Sequence, residues 1–258
     1  MITGKFRILW DNAFDSATLT ASSEAAGLPV ENLQHDWVTR CWRSTGLSAE
    51  TIDADMGAAE DIQAFFIYSH NIRAGASFSV QADDNSDYGS LAVDDAIVIT
   101  ADMVTYNTIG KFWSAAQSYR YWRQLITDDA SGHPDSYIGE GRVFLGGYFE
   151  PSYRPSIYPE IDDIDPSVVL QSVAGQKSAN VITPYKRIRY SWGALPASDI
   201  ATLKEIFAAL GRHSAYFICE DSDNPITTTR YVRNVSDFNY VPAGGGYYAV
   251  TIEVETER

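Results

Sequence analysis

Three things are scarce in this chain, and each scarcity excludes a class of protein. Cysteine is the first: two in 258 residues, Cys41 and Cys219. Two distant sulfurs cannot build a disulfide framework or a cysteine-rich zinc site. A single long-range bridge is the alternative to two free buried thiols, and free thiols are the expectation. Positive charge is the second, with 19 basic residues against 34 acidic and a net charge of −15. A phosphate backbone or an anionic lipid surface repels such a chain, so no nucleic-acid partner is expected. The third is long hydrophobic runs. Stretches such as Ala64 to Tyr68 are far too short to span a bilayer, so no membrane insertion is expected. The opening residues Met1 to Arg7 lack the apolar core and small-residue cleavage site of a signal peptide. Synthesis in a cytoplasm, without signal-peptide secretion, follows as the expectation.

Catalytic signatures are lacking too. The chain has no Gly-rich phosphate loop ending in Lys-Ser/Thr, no His-Glu-x-x-His, no Gly-x-Ser-x-Gly and no Cys-x-x-Cys. Its histidines, His35, His70, His133 and His213, are scattered, with no two at a spacing that shares a helix or strand face. The expectation is a protein that is not an enzyme.

What is present is apolar and aromatic: 45% hydrophobic residues, 13% aromatic, six tryptophans and sixteen tyrosines. At about 150 residues per domain, the length suits one large or two modest domains. The first half reads as short strands. Ile52–Met56 alternates apolar and polar before Gly57, 62–68 is a near-continuous apolar run, and 77–81 alternates again. Residues 96–100, 119–126 and 142–145 have strand composition. Strands at this spacing, separated by turn residues, predict a sandwich or jelly roll over residues 1–149. Pro151, Pro155, Pro159 and Pro166 then mark 150–166 as an extended connector, because proline at this density excludes helix and central strand. Residues 167–258 read as a small α+β domain. It has strands near 168–170, 187–192, 215–219 and 247–254, and one helix. Ser198 is its N-cap candidate, Ile200, Leu203, Phe207 and Leu210 form its apolar face, and Gly211 stops it.

Few residues stand out as functional. Asp83, Asn85 and Asp87 alternate like the opening of a calcium loop, but Gly89 is not at the sixth position and no Glu stands at the twelfth. A polar turn is the plain reading and a weak Ca²⁺ site the alternative; no other cofactor is expected. Trp42 and Trp122 lie in strand-like segments and are core candidates. Trp37 lies in a polar segment, and His70, Asn71 and Arg73 follow a buried strand at an end where sandwich loops cluster. These four are the carbohydrate-binding candidates, because aromatic faces stack on sugar rings and loop polar groups bond their hydroxyls.

The order of Trp42-Arg43-Ser44-Thr45, Ile52–Gly57, 62–68, Phe78–Asp84 and Arg120–Leu125 resembles the galactose-binding-like β-sandwich of discoidin and coagulation-factor C domains. Met56 stands where that family has leucine before the glycine, and Tyr119 where it has a small residue. The chain also resembles tail proteins of tailed bacteriophages. The residues behind this are Asn32-Leu33 ahead of the tryptophan element, Ser69-His70-Asn71, and Ile138–Gly146 leading into a Pro-Tyr connector. A Tyr-Ser-Trp strand, a short helix and an aromatic strand ending Cys219-Glu220-Asp221 extend it into the second half. The resemblances imply a non-enzymatic virion structural protein at or near the tail tip. Its partners would be other tail proteins and copies of itself in a homo-oligomer, with host-surface contact. The alternative is a carbohydrate-binding module recognising a host-surface glycan.

Overall fold

The computed structural model describes residues 3–128, 133–156 and 159–257. The first part of the chain forms β1 (Arg7–Leu9), β2 (Thr18–Ala21), β3 (Trp42–Arg43), β4 (Glu50–His70), β5 (Ser77–Asp83), β6 (Val93–Ala96), helix α1 (Ala101–Thr105), β7 (Thr108–Thr127) and β8 (Gly139–Gly146). All except β1 and α1 join one antiparallel sheet in the order β3-β8-β4-β7-β5-β6, with β2 on β4.

That sheet closes on itself because its two longest strands change neighbours midway. Residues 50–55 of β4 pair with β7 and β2, whereas residues 64–70 pair with β7 and β8. Between them the register slips and residues 57–61 are exposed, with Gly57 at φ +77° where a side chain would be strained. Two layers result. Trp42, Ile52, Phe65, Ile67, Phe78, Trp122 and Val143 fill the core between them.

The second part forms β9 (Glu160–Ile164), β10 (Val168–Gln171), β11 (Lys177–Asn180), β12 (Tyr185–Pro196), α2 (Ala197–Leu210), β13 (Ala215–Cys219), α3 (Pro225–Thr228), β14 (Thr229–Asn234), β15 (Asn239–Gly244) and β16 (Tyr247–Thr256). Its sheet runs β1-β13-β14-β16-β12-β9, with β15 also on β16. One face takes α2, burying Ile200, Leu203, Ile206 and Leu210 on Tyr190, Trp192, Val232 and Ile252. The other packs partly on the sandwich, where Phe217 and Tyr231 meet Phe66 and Phe144. Helix, sheet and two sandwich layers therefore stack in that order. The run at 62–68 is apolar throughout because its strand is buried on both sides: Phe65 and Ile67 face the sandwich core, Ala64 and Phe66 the second sheet.

The fold class agrees with the expectation: the chain is mainly β, a sandwich followed by a sheet with one substantial helix. Four details differ. First, β1 belongs to the second sheet, where Arg7–Leu9 pair with Cys219–Phe217, so the sandwich segment does not begin at residue 1. Second, residues 160–164 of the expected connector form an edge strand on β12. The paired residues contain no proline, Pro159 and Pro166 lying just outside the ladder. Third, residues 97–100 lie outside any strand, since β6 ends at Ala96 and Thr100 caps α1 by accepting from the Met103 amide. Fourth, in α2, Ile206 is buried where Phe207 was expected; Phe207 stacks on Phe238 at 4.7 Å. Ser198 is not the N-cap, and Asp199 instead accepts from the Ser152 amide at 2.7 Å, tying the helix start to the preceding segment. Cys41 and Cys219 are both free thiols, Cys219 buried and Cys41 partly so. Among the described residues no helix is long and apolar enough to cross a membrane.

Candidate functional site

The loop that follows β4 is built from its own hydrogen bonds. His70 Nδ1 accepts from the Ile72 amide at 3.2 Å and Nε2 faces the Met103 carbonyl at 3.3 Å. Both bonds suit one neutral tautomer, and burial holds the ring's pKa down at about 4. Asn71 donates to the Tyr137 carbonyl and to Asp135, both at 3.0 Å, and accepts from Gly139 at 2.8 Å. Arg73 grips the buried Asp128 with Nε at 3.0 Å and Nη2 at 2.8 Å, while its amide takes the other oxygen. These side chains fasten β4 to the segments before β7 and β8. Three of the four carbohydrate candidates are thus engaged in loop structure, and apart from Ile72 the partners named lie more than thirty residues away along the chain.

The acidic turn after β5 is similar. Asp83 is buried and accepts from the amides of Asn85 and Ser90, both at 3.1 Å; Asp87 accepts from Gly89 at 3.1 Å. The alternation that resembled a calcium loop is the pattern of a turn whose carboxylates cap its own backbone. Among the described residues no group of three or more His, Cys, Asp or Glu side chains could hold a metal ion.

Trp37 differs. The other five tryptophans are buried or half-buried, whereas Trp37 is 61% exposed. The reason is local. A 3-10 helix over Val30–Gln34 leads into a bend at residues 35–36 and then a turn in which the Arg40 amide donates to the Trp37 carbonyl at 2.9 Å. Leu33 and Val38 are buried. Gln34 donates to the carbonyls of Phe14 and Ala17 at 2.8 Å, and Asp36 accepts from the Ala215 amide at 3.1 Å. Tyr231 donates to the Asp36 carbonyl at 3.0 Å. With these groups turned inward, His35, Trp37 and Thr39 face solvent. Arg40 places its guanidinium 5.1 Å from the Trp37 ring centre. Gln34, His35, Asp36, Trp37 and Arg40 line an open surface groove. Such a groove offers an aromatic platform, a cation and neutral hydrogen-bonding groups, the equipment that holds a polyol.

Behind the groove lies a second polar crevice between sandwich and sheet, sharing Asp36 with it. Arg142 crosses it almost fully buried, donating to Asp15 at 2.5 and 2.6 Å and to the Leu33 carbonyl at 2.9 Å, with Asp36 at 3.7 Å. This buried cation anchors the base of the Trp37 segment. Sequence reading missed it, because Arg142 sits in a run with strand composition and its partners lie over a hundred residues earlier.

No family model matches the chain, and no curated protein matches it. Solved structures with a similar fold include chitosan-binding module 1 of a chitosanase/glucanase from Paenibacillus sp. IK-5. It is 19% identical, with a TM-score of 0.43, covering 53% of this chain and 99% of the module. A mutant lectin-binding domain of Lectinolysin, complexed with Lewis b, is 13% identical over 52% of this chain and 94% of its own, TM-score 0.43. A family 32 carbohydrate-binding module of Clostridium perfringens, in complex with galactose, is 11% identical over 56% of this chain and 99% of its own, TM-score 0.41.

Proposed function

We propose that this chain is a non-catalytic binding protein whose sandwich holds a glycan on the Trp37 segment. The observation that carries this reading is the exposure of Trp37 beside Arg40 and His35 on a backbone fixed from both sides. A large aromatic held rigidly in water gives stacking area at little entropic cost. Affinity from one such platform is on the order of millimolar. A broad glycan array probed with the full chain tests it. Binding to at least one saccharide class, lost in Trp37→Ala, supports the reading; an inert array counts against it.

A second reading is assembly. Between β9 and β12 the chain sends out a ribbon, β10–β11, that packs on no core and keeps Val169, Leu170 and Val181 at least 60% exposed. Apolar surface of this kind marks a contact with another protein. On this reading the chain is a structural protein at or near the tip of a bacteriophage tail, in the virion, docked to other tail proteins and to copies of itself. Glycan binding at Trp37 would then be its contact with the host surface. The two readings are compatible.

A further inference from the structure

The ribbon's construction says what it meets. β10 and β11 continue the β9–β12 ladder outward, broken at its base by Pro166 on one strand and Pro184 on the other. Across the break Ser167 Oγ bonds both the amide and the carbonyl of Ile182, replacing the missing ladder bonds. Beyond it Val168–Gln171 pair with Asn180–Lys177, and a turn with Gly175 at φ +80° closes the tip. At about 3.3 Å per residue the arm reaches roughly 25 Å from the sheet. An isolated two-stranded ribbon is at best marginally stable in water, so an arm of this length needs a surface to lie on.

Its charge is anomalous for this chain. From Pro166 to Ser198 there is no acidic residue, in a protein of net charge −15. Between Pro166 and Pro184 the one charged side chain is Lys177, and among the described residues it pairs with no carboxylate. The complementary surface lies on the opposite edge of the same sheet. β15 is exposed along its whole length, and a groove there is lined by Val241, Ala249, Asp237 and Glu253. Glu253 is already paired with Arg189 at 3.1 Å, but Asp237 is exposed and has no cationic partner among the described residues.

We propose that the apolar arm of one copy lies in the β15–β16 groove of a second copy of this chain, with Lys177 facing Asp237. This rests on the assembly reading and names its contact. Arm and groove flank the β12–β16 pair on opposite sides, so the contact is head-to-tail. A head-to-tail contact propagates from copy to copy and closes into a ring when its rotation allows.

The test is the mass of the full chain in solution by light scattering. Wild type is expected to form a closed oligomer, a whole-number multiple of 28.5 kDa. Replacing residues 168–181 by a Gly-Gly turn is expected to give a folded monomer that still melts cooperatively, since the arm packs on no core and only the stabilisation from association is lost. Lys177→Glu and Asp237→Lys are each expected to weaken association about tenfold or more, and the double variant to recover it. A monomeric wild type at about 100 μM overturns both the assembly reading and this contact. An oligomer that survives arm removal leaves assembly standing and overturns the arm. Dissociation in both single variants without recovery in the double overturns the pairing.

Discussion

His70 and Glu140 face each other as register partners in the β4–β8 ladder, and each is forced into its neutral form. Glu140 is fully buried, and desolvation raises its pKa to about 8. Turning the Gln124 amide so that its nitrogen faces the carboxyl satisfies both groups, at 3.2 and 3.3 Å. The unfolded chain releases this proton near pH 4.5, whereas the folded one keeps it until about pH 8. Stability from Glu140 is therefore complete below pH 4.5 and lost as pH rises through 8; by pH 7 the loss is about 3 kcal/mol. His70 acts in the opposite direction. Its folded pKa, about 4, lies below the unfolded value of 6.5, so its contribution is present above pH 6.5 and lost as pH falls through 4. The contribution of this pair is best between about pH 4.5 and 6.5. Urea melts at pH 5.5 and 8 are expected to show the loss in wild type and its absence in Glu140→Gln. An equal drop in the variant would mean that another group sets the alkaline limb.

At the scale of elements, the junction of β4 and β7 depends on one residue. Gly110 faces Phe66 across the ladder, and a Cβ there would collide with the phenyl ring, which is itself edge-on to Phe112. Since Phe66 is held between sandwich and second sheet, it cannot swing away. Gly110→Ala is expected to cost about 1–3 kcal/mol by overpacking, read as a lower denaturation midpoint with an unchanged slope. An unshifted midpoint would contradict this packing. Elements of this kind were legible where period and burial agree. β5 and β13 follow their apolar patterns closely, α2 does so apart from Phe207 and its cap, and the doubly buried 62–68 announced itself as a continuous run. The three-residue β1 and the edge strand β9 were not legible, because a short strand takes its identity from the partner it finds, and that partner is far along the chain. The same holds for the site. Trp37 stood out by its polar neighbours. The engagement of His70, Asn71 and Arg73 became visible only with the loops that meet them, since hydrogen bonding to remote carbonyls leaves no local pattern.

At the scale of the molecule, the two halves share a core. Phe66 of the sandwich stacks on Phe217 of the second sheet and Phe144 meets the same ring edge-on, and β1 joins them by burying Ile8 with the helix-side core and Leu9 with the shared one. The buried Arg142 adds an ion pair with the solvent-accessible Asp15 at the same boundary. A chain joined in this way unfolds as a unit. Calorimetry is expected to show one transition with equal calorimetric and van't Hoff enthalpies; two separable transitions would contradict the shared core. The rigidity has a functional side, because Asp36 and Val38, which aim Trp37 outward, are held by this boundary and not by the sandwich alone. The central claim is that this fixed, exposed indole holds a glycan. It is tested most directly by titrating the saccharide selected on the array into wild type and Trp37→Ala, following tryptophan fluorescence. The account predicts a saturable change with a dissociation constant on the order of a millimolar in wild type, and none in a variant that melts at the same temperature. Undiminished binding by Trp37→Ala, or no saccharide that binds the wild type, would contradict it.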